Sequence, residues 1–297
     1  MTLRNSLLLT LSYSAQFSYP LRVSQLWLRL LTVPHQRFSK KLFVQEILVL
    51  VGRKKIIYQD GYLFFPGYER DIALRIARER RAEQKQSQIK KVVWLCKKIP
   101  WIVGLAVTGS VALRQAREQD DLDFLVVTKH NSLWLARSLL VGFGILLGMY
   151  RSRNNAHTDG WCFNMWLERP RFVLSPERRS LYTAYEVLQA DWVYDQGAVQ
   201  REFLLANAWV SQVLPTFYVQ KFSACSVAAK IKIFASIGSL LSPIGSLLNV
   251  LAFILQRWHM HAAMTREVVV FSQAYFHPRN TQQYVTKRWR ELLQEIA

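Results

Sequence analysis

The sequence predicts an α+β protein built from more than one structural unit. A hairpin pattern lies at residues 56–65, a strand, turn, helix and strand follow one another over residues 102–127, and helical spacing dominates after residue 197. The 297 residues are 51% apolar, which is enough for two or three small hydrophobic cores. We expect four parts with the bounds 1–68, 69–98, 99–196 and 197–297.

The first part combines helical spacing with a hairpin. Residues 25–31 and 41–51 have helical apolar spacing, and the second segment runs into Arg53, Lys54 and Lys55. Two apolar runs then flank an Asp-Gly pair, which is a strong signal for a hairpin turn. Helices followed by a hairpin with basic residues at its entry are typical of a winged-helix module that binds DNA. A small helix-hairpin domain that binds no nucleic acid fits the same pattern.

Residues 69–98 are rich in charge and have few apolar positions, so we expect one long helix that links two domains. Its basic residues fall on neighbouring turns, and the ordinary interpretation of such a run is a solvated helix face. The residues concerned are Arg75, Arg78, Arg80, Arg81 and Lys85.

The chain is strongly basic, with a formal net charge of +19. Residues 1–100 hold 19 Lys and Arg against 6 Asp and Glu, so most of the surplus lies in the first third. This distribution suits an anionic partner, either a nucleic acid or an acidic membrane surface. Cys96, Cys162 and Cys225 are widely separated and form no metal-ligand motif, which is ordinary in a reducing compartment, so we expect a cytoplasmic protein.

Two apolar stretches raise the question of a membrane. Residues 231–255 are long enough to cross a bilayer, but Pro243 and several small residues interrupt them, and Arg137 interrupts residues 133–150. We expect buried amphipathic helices at both places. Membrane contact through residues 231–255 stays open as an alternative.

The candidate metal-binding and phosphate-binding residues lie on the strand pattern of the third part. The apolar run 102–107 leads through Thr108 to Gly109 and Ser110, and the next strand begins with Asp121 and Asp123. Because a strand alternates its faces, both carboxylates project from one side and suit Mg²⁺ or Mn²⁺, which bind hard oxygen ligands. A glycine allows close approach of the backbone to a ligand, and N–H groups at a helix start favour anions. The spacing predicts that a phosphate and a metal ion bind side by side at this turn and the acid pair.

This arrangement resembles the DNA polymerase beta-like nucleotidyltransferase superfamily, whose signature is an apolar residue, Gly, Gly or Ser, a spacer, and then Asp-apolar-Asp-apolar. The order of the four parts, including the stretch 181–186, resembles a group of bacterial proteins that contain that core. The resemblance implies a small mixed sheet with helices and the transfer of a nucleoside monophosphate from an NTP. The resemblance does not imply the acceptor, which stays open: an RNA end, a tRNA or a protein hydroxyl would each fit. Thr108, Gly109, Ser110 and Lys129 are then expected at the nucleotide.

One position departs from the superfamily pattern. Active members have a third carboxylate on a neighbouring strand, and residues 160–166 offer Asn164 at that place, with Asp159 just before the strand. An amide cannot act as a general base. Catalysis could therefore use Asp159, be weak, or be absent. The alternative function is a nucleic-acid-binding regulator whose core senses a nucleotide without turnover.

Overall fold

A computed structural model describes residues 1–151, 160–225, 242–261, 264–265, 267–276 and 281–296. Within these residues the chain forms a small N-terminal unit with a three-stranded sheet and a larger α+β unit with a six-stranded sheet. The α+β class predicted from the sequence is confirmed.

The N-terminal unit has the element order helix, strand, helix, helix, strand, strand. Its helices are Leu3–Ala15 (α1), Val23–Leu28 (α2) and Lys40–Gly52 (α3), and its strands are Leu21–Arg22 (β1), Ile57–Gln59 (β2) and Tyr62–Phe64 (β3). The predicted hairpin is confirmed: β2 pairs antiparallel with β3 around Asp60 and Gly61, which both have positive φ, as a tight hairpin turn requires. α1, which the apolar pattern did not predict, packs Leu7 and Leu11 into the core of this unit.

The expected single helix over residues 69–98 is two helices, Arg70–Gln84 (α4) and Gln86–Lys98 (α5). Lys85 lies at the break, where it is buried and its Nζ donates a hydrogen bond to the carbonyl of Asp120, 2.7 Å away. Arg75 is also buried: it contacts the Pro20 carbonyl and lies over the Tyr19 ring. The interpretation of this basic run as a wholly solvated face is therefore wrong for Arg75 and Lys85, because the N-terminal unit and the loop before the acid pair cover them.

The larger sheet carries the predicted strand, turn, helix and strand. Its first elements are Ile102–Val107 (β4), Gly109–Ala112 (α6), Leu122–Thr128 (β5), Leu133–Leu146 (α7), Trp161–Glu168 (β6), Leu181–Gln189 (α8) and Asp191–Asp195 (β7). β5 pairs antiparallel with β4 and parallel with β6, so β5 lies in the middle of the sheet. Buried aliphatic and aromatic side chains on both faces explain the near-continuous apolar runs of these strands.

The part after residue 197 is helical but also completes the sheet. It contains Val199–Ala206 (α9), Pro215–Ala224 (α10), Ser242–His261 (α11), Val268–Val270 (β8), Gln273–Tyr275 (β9) and Thr281–Ile296 (α12). β9 pairs with β6, and β8 pairs with β9, which gives the strand order β7-β4-β5-β6-β9-β8. One hydrophobic cluster contains residues from β4, α8, α9, α10 and α12. The expected boundary at 196/197 does not mark a separate core.

Both apolar stretches contribute to helices in the part of the chain that the structure describes. Within that part, no helix combines the length and the apolar composition that a membrane span needs. Residues 133–146 form α7, which buries Leu133, Trp134 and Leu140. Residues 242–255 belong to α11, whereas 231–241 lie outside the described residues.

Candidate metal and phosphate site

The acid pair lies at the start of the central strand. Asp121 immediately precedes β5 and Asp123 is its second residue, so the two carboxylates project from the same side, as the alternation of a strand requires. Both are partly buried. The backbone of β4 is fixed to this strand end, because the Thr108 N–H donates to the Asp123 carbonyl at 2.9 Å. The predicted turn and the predicted acids are therefore neighbours.

Gly109 is in direct contact with Asp123. Its φ of +65° lies in the left-handed region, and a β-carbon at this position would lie 2.5 Å from Asp123 Oδ2. Both the backbone conformation and the available space therefore require glycine. Ser110 follows in the first turn of α6, partly buried. The sequence pattern and the structure agree on this juxtaposition.

The neighbouring strand β6 contributes Asn164 and Cys162. The Asn164 amide donates from Nδ2 to Asp123 Oδ1 at 2.8 Å, so Asn164 occupies the position beside the acids where the sequence comparison expected a third carboxylate. Cys162 is the register partner of Asp123, and its sulfur lies within 4.8 Å of an oxygen of each acid. Cys162 belongs to no metal-ligand motif in the sequence. Strand alternation could have indicated it, since Cys162 and Asn164 are two residues apart and share a face.

The two carboxylates differ in how their charge is neutralised. Burial, and next the charge of Asp121, raise the pKa of Asp123 to about 8, although the Cys162 thiol hydrogen-bonds to it and acts in the opposite direction. Burial and the same two acids raise the pKa of the Cys162 thiol. Arg151 Nη1 forms an ion pair with Asp121 Oδ1 at 2.7 Å. Asp121 thus has a cationic partner, whereas Asp123 has an amide and a thiol.

The donor set fits a small divalent cation. Two carboxylates that repel each other are stabilised by a positive charge between them, and carboxylate oxygens are the ligands that Mg²⁺ and Mn²⁺ prefer. Asn164 Oδ1 is buried and has no hydrogen-bond partner among the described residues, so an amide oxygen is also available there. A thiol is a soft ligand that Mg²⁺ avoids, and we assign Cys162 no role in holding it.

A cavity of about 320 Å³ opens beside this site. Thr108 forms part of its wall, and α8 contributes Tyr182, Thr183 and Glu186. Burial raises the pKa of Glu186 to about 7, and the Glu186 charge in turn contributes to the raised pKa of Asp123. Glu186 was not identified from the sequence as a site residue, because the pattern of α8 does not show where the helix packs on the sheet.

The structure does not bring all the expected residues together. Lys129 follows β5 at its other end, six residues after Asp123, and a strand rises roughly 3.3 Å per residue. Lys129 is therefore about 20 Å from the acid pair, and its backbone N–H binds the Trp101 carbonyl. Contrary to the expectation, Lys129 does not lie beside Gly109 and the acid pair. Asp159, the expected substitute for a third acid, lies outside the described residues.

Comparisons of this chain with protein-family models, with curated proteins and with solved structures give no match. The resemblance to nucleotidyltransferases thus depends on the motif and on the order of the parts described above. The function has to be argued from the geometry of the site.

Proposed function

We propose that this protein transfers a nucleoside monophosphate from an NTP to a hydroxyl acceptor at the site formed by Gly109, Asp121 and Asp123. The observation that carries the proposal is the contact of the Asp123 carboxylate with Gly109, where a β-carbon would lie 2.5 Å from Oδ2. This contact brings the turn at Gly109, which suits a phosphate, next to the carboxylates, which suit a metal ion. In this in-line displacement the acceptor oxygen bonds to the α-phosphorus while the bond to pyrophosphate breaks and pyrophosphate leaves, and the reaction uses both parts together.

In this mechanism Asp121 and Asp123 hold Mg²⁺. When bound, the ion lowers the negative charge on the attacking and leaving oxygens. Gly109 and Ser110 present backbone N–H groups to the phosphates, and Thr108 and Ser110 present their hydroxyls. Arg151, which pairs with Asp121 at 2.7 Å, is placed to exchange that partner for a phosphate oxygen.

Glu186 is our candidate for the proton acceptor. Asn164 cannot accept a proton from the attacking hydroxyl, whereas Glu186 is a carboxyl group on the wall of the adjoining cavity. With a pKa raised to about 7, it is suited to accept a proton near neutral pH. The cavity would then hold the acceptor close to the acids. RNA, tRNA and protein hydroxyls are all candidates, and the basic N-terminal third favours RNA.

Transfer of label from NTPs to total RNA in the presence of Mg²⁺ tests the proposal. We expect the double substitution Asp121→Asn and Asp123→Asn to abolish transfer. Glu186→Gln should reduce the turnover rate by about 10²–10⁴-fold, the usual contribution of a general base, while nucleotide binding is retained. The exposed Asp60→Asn serves as a charge-matched control. Transfer that persists in the double variant would exclude the mechanism.

One observation favours a second candidate function, a nucleic-acid-binding regulator that senses a nucleotide without turnover. The Asn164 amide donates to Asp123 and supplies no third negative charge. The N-terminal unit, with its exposed residues Arg53, Lys54 and Lys55, would bind the nucleic acid. Nucleotide binding without transfer in the native protein, with transfer gained in Asn164→Asp, would support this function over the first.

A further inference from the structure

The helix α11 exposes an apolar stripe, and its packed side holds polar residues beside the apolar Ala252 and Phe253. Its packed side carries Asn249, which is fully buried, and Gln256, which binds the Trp134 carbonyl and the Ser138 hydroxyl of α7. Its outer side carries large apolar residues at spacings of three and four, with exposed fractions from 46% to 79%. These residues, called here the outer stripe, are Ile244, Leu247, Leu248, Leu251, Leu255 and Trp258.

The neighbouring helix α7 adds to this exposed apolar surface. The two helices run parallel, because Asn131 binds Ser246 near their starts and Arg137 binds Gln256 further along. The second half of α7 and the residue after it expose apolar side chains at similar spacings, namely Leu139, Phe143, Leu146 and Leu147. Large exposed apolar residues in this number on two packed helices of a folded protein mark an interaction site.

Charge identifies the kind of partner. Residues 124–158 and 203–266, which contain the two helices, hold no Asp or Glu, so stretches of 35 and 64 residues are each free of acids. Exposed bases flank the helices, with Lys129 before α7 and Arg257 near the end of α11. Trp258, 79% exposed, lies at the same end, and tryptophan prefers the boundary between lipid headgroups and acyl chains.

We propose that α11, with the exposed part of α7, lies in the surface of an anionic lipid bilayer. An apolar stripe with flanking bases and a tryptophan is the arrangement of an interfacial helix, and anionic headgroups complement a face that holds no acid. A second copy of this chain would instead bring another basic, acid-free face against the first, at a net charge of +19 for each chain. This inference is independent of the proposed nucleotide chemistry.

Flotation of the full chain with vesicles tests this proposal. The protein should float with phosphatidylcholine vesicles that contain phosphatidylglycerol, and less with phosphatidylcholine alone. Leu251→Ser combined with Leu255→Ser should weaken partitioning by about a hundredfold, because transfer of one leucine from water changes the equilibrium by about tenfold. Leu205→Ser, an exposed leucine on α9 with 53% exposure, should leave it unchanged.

Size-exclusion chromatography with light scattering, run on the same variants without lipid, makes the outcome decisive. A folded protein that does not float with anionic vesicles overturns the proposal. Equal partitioning of the wild type and the double variant also overturns it. A dimer that dissociates in the double variant, together with no vesicle binding, assigns the outer stripe to a second copy and also overturns it.

Discussion

Gly109 combines a restricted backbone conformation with a restricted space. Gly109→Ala should lower the stability by about 2–4 kcal/mol, since the new β-carbon meets both the unfavourable φ and Asp123 Oδ2. Gly148→Ala is a matched control, with a φ of +66° and no atom within 4 Å of the added carbon, and should cost about 1 kcal/mol. Denaturant unfolding measures both. Equal losses in the free energy of unfolding of the two variants would show that the contact with Asp123 adds no cost to the substitution.

The pKa of Asp123 gives a prediction for stability against pH. Burial and Asp121 favour the protonated form in the folded protein and raise the pKa from 3.8 to about 8. Stability from this group is therefore fully present below its ordinary pKa and is lost as pH rises through that window towards about 8. Without metal, Asp123→Asn should raise Tm at about pH 9 by at least about 2 °C, and much less near pH 4.

Asp60→Asn, at an exposed turn, is the control and should leave Tm unchanged at both pH values. A lower Tm of Asp123→Asn than of the wild type at high pH would contradict burial and the charge of Asp121 as the cause of the raised pKa. Added Mg²⁺ should remove the difference between the wild type and this variant, because it neutralises the charge that the native carboxylate carries.

Among single residues, the sequence identified the glycine and the two acids of the site but not the carboxyl group on the wall of the adjoining cavity. Gly109, Asp121 and Asp123 could be placed together because strand alternation and a short turn are local properties of the chain. Glu186 could not, because its position depends on how α8 packs against β4 and β5. Lys129 was misplaced since the length of β5 carries it to the other end of the sheet.

Among the elements, α7 depends on distant residues for its N-terminal hydrogen bonds. Glu168 Oε1 accepts from the N–H groups of Ser132 and Leu133, and Asn249 Oδ1 accepts from those of Trp134 and Leu135, at 2.9 and 3.0 Å. Without Asn249, two buried or partly buried donors would lack their acceptor. Helix α11 thus fixes the start of α7.

Asn249→Ala should therefore destabilise the protein by about 1–3 kcal/mol, the cost of leaving buried donors unpaired. Leu247→Ala, on the exposed side of the same helix, should change stability by no more than about 0.5 kcal/mol. Thermal or denaturant unfolding of both variants checks this. Equal, small effects would show that α11 does not hold α7 in solution.

Helices and strands were predicted correctly where a local sequence pattern determines them. They were predicted wrongly where contacts between distant residues determine them. The hairpin of β2 and β3 follows from Asp60-Gly61, since those residues adopt positive φ readily. The break between α4 and α5 carries no proline or glycine. It occurs at Lys85, whose ammonium group binds the Asp120 carbonyl. A pattern of charges along a helix does not show such a contact.

On the scale of the whole molecule, the charge surplus gives a prediction for nucleic-acid binding. Replacing Arg53, Lys54 and Lys55 by Gln should reduce the salt dependence of binding to duplex DNA, with a slope smaller by up to about 2.7 if all three contact phosphates. Replacing the exposed Lys90, Lys91 and Lys97 by Gln removes the same charge elsewhere and should change the slope little. Equal changes in both variants would indicate that net charge alone attracts the nucleic acid.

The overall architecture was the least accessible to sequence reasoning. The α+β class and the middle strands followed from local patterns, but β8 and β9 join the sheet beside β6 more than 100 residues later in the chain. Pairing at that separation depends on the packing of the intervening helices. The boundaries of domains inferred from composition therefore differ from those of the hydrophobic cores.

The central claim is that Asp121 and Asp123 form a metal-dependent nucleotide site. Calorimetric titration of the native protein with a non-hydrolysable NTP analogue, with and without Mg²⁺, tests it most directly. Binding should require Mg²⁺, be lost in the Asp121→Asn and Asp123→Asn double variant, and persist in Asp60→Asn. Nucleotide binding that is equally tight without Mg²⁺, or in the double variant, would contradict the account.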